Sequence, residues 1–112
     1  MCLFKVLFLA DAFEFLEQLE DKSRRKVLYN MNKVSKRNDE ELLKKINDNI
    51  WEFRTLYGNT QIRFFAFWDT SVKGDSKLII THGFIKKSLK LPMQEIQKAE
   101  MMRRLFFNLI NK

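Results

Sequence analysis

The segment from Ile79 to Pro92 reads IITHGFIKKSLKLP, and the other predicted elements are arranged around it. It opens on apolar, β-branched residues, which favour a half-buried strand. Pro92 suits the first turn of a following helix, whose N-terminus attracts anions. Gly83 interrupts the strand pattern, which indicates a β-bulge or a close backbone approach. The segment therefore predicts a strand that leads into a helix, with three lysines at the rim of the sheet.

A β-hairpin is predicted upstream, over residues 51–68. Apolar and polar residues alternate there with a period of two, and Gly58-Asn59 is typical of a two-residue hairpin loop. With that loop, counting back along both strands places Arg54 opposite Arg63. After a polar turn at Asp69–Ser76, the strand at Lys77–Phe84 completes an antiparallel meander of three strands.

The N-terminal half is predicted to begin with a strand and continue as a helical pair. Leu3–Leu9 is a nearly continuous apolar run, which is typical of a central strand covered on both faces. Apolar residues then recur at helical spacing, and Asp21 is a candidate N-cap between the two helices. The two predicted stripes are Phe13, Leu16 and Leu19, and then Val27, Leu28, Met31 and Val34.

Two more helices are predicted, and together with the strands they define an α/β (α+β) fold. Glu41–Asn47 follows a break and reads as a short third helical piece. The terminal helix is predicted from Pro92 to Leu109. Its apolar stripe contains Ile96, Ala99, Met102, Phe106 and Leu109.

The chain has 112 residues, which fits one domain over residues 1–112. Lys and Arg number 21 against 14 Asp and Glu, a formal net charge of +7 that favours a polyanionic partner. Many of these charges lie on the second predicted helix, whose basic face is either simply solvated or a track for nucleic-acid phosphates. These basic residues are Lys22, Arg24, Arg25, Lys26, Lys33, Lys36 and Arg37.

The sulfur and imidazole content restricts the chemistry. Cys2 is the only cysteine and His82 the only histidine, so one chain cannot form a disulfide, a zinc site or a Cys/His nucleophilic pair. We therefore expect the reducing cytoplasm and no metal or other cofactor. The apolar N-terminus contains Lys5 and is far shorter than the ~20 residues of a spanning helix, so no membrane association is expected.

The predicted opposition of Arg54 and Arg63 calls for a physical reason, because like charges directly across a strand pair are unfavourable. One reason is an anion, such as a phosphate held by two guanidinium groups. The other is Glu52, which lies on the same face two residues from Arg54 and can neutralise one arginine in a structural ion pair. Both interpretations fit the sequence.

Three motifs in order resemble a known family. The sequence HGFIKKSLKLP at 82–92, followed by EIQKA at 95–99, is similar to the signature of RelE/HigB-type toxins. WEFR at 51–54 and QIRFFAFW at 61–68 resemble two strands of the same family. The likeness covers nearly the whole chain. It implies a type II toxin that cuts messenger RNA in the ribosomal decoding site and is held inactive by a cognate antitoxin, here expected to be of the helix-turn-helix type.

The resemblance also implies site residues. Arg54 and Arg63 match the strand arginines that would hold the scissile phosphate, and Lys86, Lys87 and Lys90 match a lysine-rich loop. The reaction would be metal-independent, with the 2′-hydroxyl of the RNA as nucleophile. The predicted catalytic residues are Arg54, Arg63, Lys86, Lys87 and, as a proton-transfer group, His82; the predicted RNA-binding residues are Lys90, Arg103 and Arg104.

The C-terminus departs from the family. Several ribosome-dependent relatives end with a catalytic tyrosine or histidine, whereas this chain has Phe106 and Phe107 near its end. A second interpretation therefore stays open, in which a protein of the same fold binds RNA, DNA or the ribosome without cutting.

Overall fold

The computed structural model describes residues 2–110, which form a five-stranded sheet and three helices in a mixed α+β fold, as predicted. The strands are β1 (Lys5–Phe8), β2 (Leu43–Lys45), β3 (Trp51–Tyr57), β4 (Thr60–Asp69) and β5 (Lys77–Lys86). The helices are α1 (Ala10–Gln18), α2 (Asp21–Lys36) and α3 (Met93–Ile110). No helix within residues 2–110 is long and apolar enough to span a membrane.

The strands lie in the order β1-β5-β4-β3-β2. β1 pairs parallel to β5, and every other pair is antiparallel. The hairpin of β3 and β4 is confirmed in both loop and register: Gly58 has the positive φ that a tight turn requires, and Arg54 pairs with Arg63. The meander of β3, β4 and β5 is confirmed too.

The sheet is covered by helices on both faces. Buried residues of α1 and α2 pack with Phe53, Phe64 and Ile80 in the larger core. On the other face, Ile96 and Ala99 of α3 pack with Phe65, Phe67 and Ile79 in a smaller core. The smaller core leaves part of this second face uncovered, at the end of the sheet that carries the Gly58 turn.

The prediction of a central strand at Leu3–Leu9 is wrong in its position. β1 is only four residues long and lies at the edge of the sheet, with exposed and half-buried residues in alternation. Leu3 and Leu7 are exposed. The apolar run did not indicate a central strand, because β1 has a neighbouring strand on one side alone and α2 covers only one of its faces.

The predicted helical piece at Glu41–Asn47 is also wrong, since the chain forms β2 there. Asp39 accepts a hydrogen bond from the backbone N–H of Glu41 at 3.0 Å, the same short-range bond that an N-cap residue makes. Here it closes a turn instead, and Leu43 is buried and pairs with Phe53. Tertiary burial of Leu43 therefore decides a segment whose local signals favour a helix.

The helical predictions otherwise hold with small differences. The N-cap position of α2 is Glu20, and Asp21 is its first helical residue rather than its cap. Half of the predicted apolar stripe positions are buried and three are half-buried, but Phe13, Leu28 and Leu109 are exposed. The terminal helix begins at Met93 instead of the predicted Pro92, and it includes Ile110, one residue beyond the predicted end at Leu109.

A β-bulge lies in β5 at Thr81, two residues before the glycine that suggested one. Phe65 pairs with His82 and Ala66 with Ile80, which leaves Thr81 as the extra residue. Because side chains alternate along a strand, one extra residue moves every later residue of β5 to the opposite face. Gly83 marks a close approach instead: a Cβ there would overlap the ring of Phe15.

Candidate functional site

The uncovered part of the sheet forms a cleft of 590 Å³ between the tip of the β3–β4 hairpin and the end of β5. The structure brings four of the predicted site residues to this cleft: Arg54, Arg63, Lys86 and Lys87. Its other lining residues are Asn59, Thr60, Gln61, Ile85, Ser88 and Leu89. The cleft walls are therefore rich in cations and hydrogen-bond donors.

The bulge at Thr81 places Lys86 in the cleft. Lys86 pairs with Gln61, which is two residues before Arg63 and so lies on the same face as Arg63. Without the extra residue, the strict alternation of β5 would put Lys86 on the face covered by α1 and α2. β5 also extends two residues beyond its predicted end at Phe84, so Lys86 is held by the sheet.

Arg54 and Arg63 do lie opposite each other, and Glu52 lies between them. Its Oε1 atom is 3.1 Å from Nε of Arg54 and 3.7 Å from Nε of Arg63. The Glu52 side chain is 4% exposed and that of Arg63 is 7% exposed, whereas Arg54 is 33% exposed. The structural ion pair that the sequence left open is therefore present, and it involves both arginines.

Arg63 is the more constrained arginine. One terminal nitrogen donates a hydrogen bond to Oε1 of Gln61, and the other donates to the carbonyl oxygen of Ile62 at 3.4 Å. Burial lowers the pKa of the Arg63 guanidinium, Glu52 opposes this effect and Arg54 adds to it. An anion in the cleft would lower the cost of keeping this cation buried, as Glu52 already does in part.

The charges of the cleft do not cancel. Two arginines and two lysines face one carboxylate, that of Glu52, among the residues placed around this cleft. The ion pair of Arg54 uses its Nε atom, which leaves its two terminal nitrogens outside that contact. The arrangement can therefore accept a dianionic or bridging phosphate from the solvent side.

His82 is placed elsewhere and does not line the cleft. It is almost completely buried, with Nδ1 2.9 Å from Oγ1 of Thr81 and Nε2 3.3 Å from Oε1 of Glu95 on α3. Thr81 donates its own hydroxyl proton to the carbonyl oxygen of Phe65. Burial lowers the pKa of His82, and the nearby carboxylate of Glu95 raises it less strongly.

The predicted RNA-binding residues are also outside the cleft. Lys90 is exposed in the loop after β5. Arg103 stacks over the ring of Phe107 at 5.2 Å, and Arg104 is exposed on α3. Within residues 2–110, no three His, Cys, Asp or Glu side chains are grouped so that they could hold a metal ion.

Sequence reasoning did not single out Gln61, which orients Arg63 by a hydrogen bond. The signal was available, because the predicted hairpin register places Gln61 and Arg63 on one face of β4. It did not identify Asn59 as a lining residue either, although it predicted the Gly58-Asn59 turn, and the place of Ser88 depends on a loop conformation that no local pattern specifies.

A sequence model of the family described as "Phage derived protein Gp49-like (DUF891)" matches residues 14–104 of the chain. The matched range contains every residue that lines the cleft. This family is toxin-like and occurs in toxin–antitoxin systems. No curated protein matches the chain significantly. The family match thus supports the predicted resemblance to toxins of toxin–antitoxin systems. The more specific resemblance to RelE and HigB toxins stays a prediction.

Proposed function

The chain belongs to the Gp49-like family of phage-derived proteins, and on that premise we propose that it is a toxin that cuts messenger RNA on the ribosome. The observation that carries the proposal is the convergence of Arg54, Arg63, Lys86 and Lys87 on one cleft. A volume of 590 Å³ is within the usual range of small-ligand sites, and a nucleotide with its phosphate is of that size class.

In the proposed reaction, the 2′-oxygen of a ribose attacks the adjacent phosphorus. The bond from phosphorus to the 5′-oxygen of the next nucleotide breaks, which leaves a 2′,3′-cyclic phosphate and a free 5′-hydroxyl. The 2′-hydroxyl gives up a proton, and the leaving 5′-oxygen takes one. The protein must therefore stabilise the extra negative charge on the phosphoryl oxygens and move two protons.

The cleft residues divide these tasks. Arg54, whose guanidinium is partly exposed, would contact the phosphoryl oxygens directly. Arg63, buried and held by Gln61 and Glu52, would fix the position of Arg54 and add positive potential behind it. Lys86 and Lys87, at the mouth of the cleft, would move the protons. His82 is too far inside the fold to be assigned a step here.

The proposed partner is an antitoxin of the helix-turn-helix type, encoded with this chain, and the chain itself is proposed to act as one domain. The family is toxin-like, which supports an antitoxin partner. The net charge of +7 supports ribosomes and messenger RNA as the target, because both are polyanions. No cofactor is part of the proposal.

A second candidate function is binding to RNA or the ribosome without cleavage. One observation favours it: the two aromatic residues near the C-terminus are phenylalanines, which carry no proton-transfer group, and both pack against the sheet. Their ring centroids lie 5.3 Å and 5.5 Å from that of Phe67, so Phe106 and Phe107 belong to the smaller core. Several RelE/HigB-type toxins end with a catalytic tyrosine or histidine, whereas this chain uses Phe106 and Phe107 near its C-terminus for packing.

The two functions are separated by mapping 5′ ends on ribosome-bound transcripts after induction in a bacterium. Cleavage produces new 5′ ends in the wild type, and binding alone produces none. The variant Lys86→Gln/Lys87→Gln should lose the new ends and permit growth. Its matched control is Lys45→Gln/Lys73→Gln, two exposed lysines outside the cleft lining, which should behave as the wild type does.

Each result has a defined meaning. Growth arrest without new 5′ ends in the wild type would support the binding function. Equal cleavage by the cleft variant and the control would remove Lys86 and Lys87 from the reaction. Normal growth at high expression of the wild type, with no antitoxin present, would overturn the toxin proposal.

A further inference from the structure

The solvent-facing side of α2 carries a stripe of four lysines with one tyrosine in its centre. The residues Lys22, Lys26, Tyr29, Lys33 and Lys36 follow one another at spacings of four, three, four and three. These spacings place side chains in a single row along a helix, about 21 Å long at ~1.5 Å per residue. The buried residues Val27, Met31 and Val34 lie on the opposite side of α2.

The row keeps most of its positive charge, because only one ion pair within residues 2–110 involves it. Both carboxylate oxygens of Asp21 contact arginines, Arg24 and Arg25, at 2.9 Å. Within the stripe, Lys33 alone has an acidic neighbour, Asp39, and their charged atoms are 3.8 Å apart. Like charges at these spacings destabilise a helix, so the fold gains nothing from the row.

Tyr29 is the second, independent feature. Its side chain is 63% exposed although it lies in the middle of a regular helix. Nζ of Lys26 lies 5.4 Å from the centre of its ring, and the ring borders a groove of 340 Å³ together with Lys33, Lys36 and Arg37. An exposed aromatic ring between cations is the arrangement that stacks a base while the cations contact flanking phosphates.

We propose that this stripe binds a single-stranded or looped segment of ribosomal RNA. The choice of ribosomal RNA rests on the proposed function, which places the protein on the ribosome. The stripe is a surface separate from the cleft, since α2 covers one face of the sheet and the cleft opens on the other. A protein partner fits less well, because Tyr29 is the only side chain in the row that offers an apolar surface.

The test measures binding of the full chain to purified ribosomes over a range of salt concentrations. An Arg54→Lys background keeps messenger RNA cleavage from disturbing the measurement. The stripe variant is Lys26→Gln/Lys33→Gln/Lys36→Gln, and its charge-matched control is Lys44→Gln/Lys45→Gln/Lys73→Gln, all exposed lysines on β2 or in the β4–β5 loop. The logarithmic salt slope should become shallower by about 2 in the stripe variant, since each phosphate contact contributes roughly 0.7.

Tyr29→Ala supplies an independent readout. Loss of one stacked base should weaken binding about tenfold and leave the salt slope unchanged. An equal loss of slope in the control triple would overturn the proposal, because net charge alone would then explain the effect. Tight binding of poly-glutamate with the same dependence on Tyr29 would also overturn it in favour of an acidic protein.

The outcomes separate this inference from the proposed function. Suppose that ribosome binding depends on the stripe but the protein with intact Arg54 cuts no messenger RNA. This result would support the stripe as an RNA-binding surface and reject the proposed nuclease activity. Suppose instead that the protein with intact Arg54 cuts messenger RNA and that the stripe variant has the same salt slope as its parent. This result would support the nuclease activity and reject the stripe as an RNA-binding surface.

Discussion

Oε1 of Glu52 lies 3.7 Å from Nε of Arg63, and both side chains are more than nine-tenths buried. This ion pair changes the expected effect of the opposed arginines on the free energy of unfolding. From the sequence, Arg63 could be a functional residue whose repulsion with Arg54 destabilises the fold slightly. In the structure, Arg63 instead supports a buried carboxylate, so its removal has a structural effect as well as any functional one.

We therefore expect Arg63→Met to lower the free energy of unfolding by about 1–3 kcal/mol. The loss should be smaller than the ~3–5 kcal/mol typical of a broken buried pair, because Glu52 keeps its contact with Arg54 at 3.1 Å. Urea denaturation measures the change. In the double variant Glu52→Gln/Arg63→Met, the loss should be less than the sum of the single losses by about 0.5–3 kcal/mol. Additive losses would mean that Glu52 and Arg63 do not interact.

Arg54 offers a cleaner functional test than Arg63. Arg54→Lys retains a positive charge beside Glu52 but removes the planar guanidinium fork that grips a phosphate. We expect the free energy of unfolding to change by less than about 1 kcal/mol and cleavage of ribosome-bound messenger RNA to fall at least about tenfold. Primer extension quantifies cleavage, and a urea titration checks the fold. Full activity in this variant would assign Arg54 to structure alone.

The sequence predicted the hairpin and its register because both depend on short-range signals. Gly58-Asn59 specifies the loop, and the loop fixes the opposition of Arg54 and Arg63 by counting. The bulge at Thr81 has no comparable signal, since nothing in the run of residues 78–82 distinguishes an extra residue from regular alternation. Strict alternation of side chains beyond Ile80 would therefore have assigned Lys86 to the face of the sheet that α1 and α2 cover.

The remaining differences arise from burial that local patterns do not encode. β2 is three residues long and exists because Leu43 fills a place in the larger core beside Phe53. The buried position of His82 depends on α3, which brings Glu95 from 13 residues further along the chain. Neither the pairing of β2 with β3 nor the contact between His82 and Glu95 can be predicted from a short window of sequence, because each joins residues that are far apart along the chain.

The approach of Gly83 to Phe15 gives a prediction about packing. A methyl group at position 83 would overlap the Phe15 ring, which also packs edge-on against Phe64 at 5.4 Å. We expect Gly83→Ala to destabilise the protein by about 1–3 kcal/mol through overpacking. The control is Gly83→Ala combined with Phe15→Leu, which removes the ring and should recover part of the loss. A thermal melt of Gly83→Ala that matches the wild type would show that α1 moves away freely.

The last prediction concerns pH and begins with the surroundings of His82. The His82 side chain is 3% exposed, and burial lowers its pKa below the ordinary value. Glu95 and Asp11 raise the pKa, and Lys98 lowers it further. The net direction is downward, so the folded protein prefers the neutral ring. A group whose pKa is lower in the folded state stabilises the protein above its unfolded pKa, and this contribution is lost as the pH falls.

In the unfolded chain, His82 should titrate near pH 6.5. The melting temperature of the wild type should therefore decrease as the pH is lowered from about 7.5 to about 5.5. In His82→Gln, the melting temperature should change much less over this range, because glutamine does not titrate. Asp69, whose pKa is lowered by hydrogen bonds from Ser71, responds to pH only in more acidic solution and does not contribute in this window. Equal pH dependence in the two proteins would contradict a buried neutral histidine. A wild type that becomes more stable as the pH falls would show instead that Glu95 outweighs burial and holds the ring protonated.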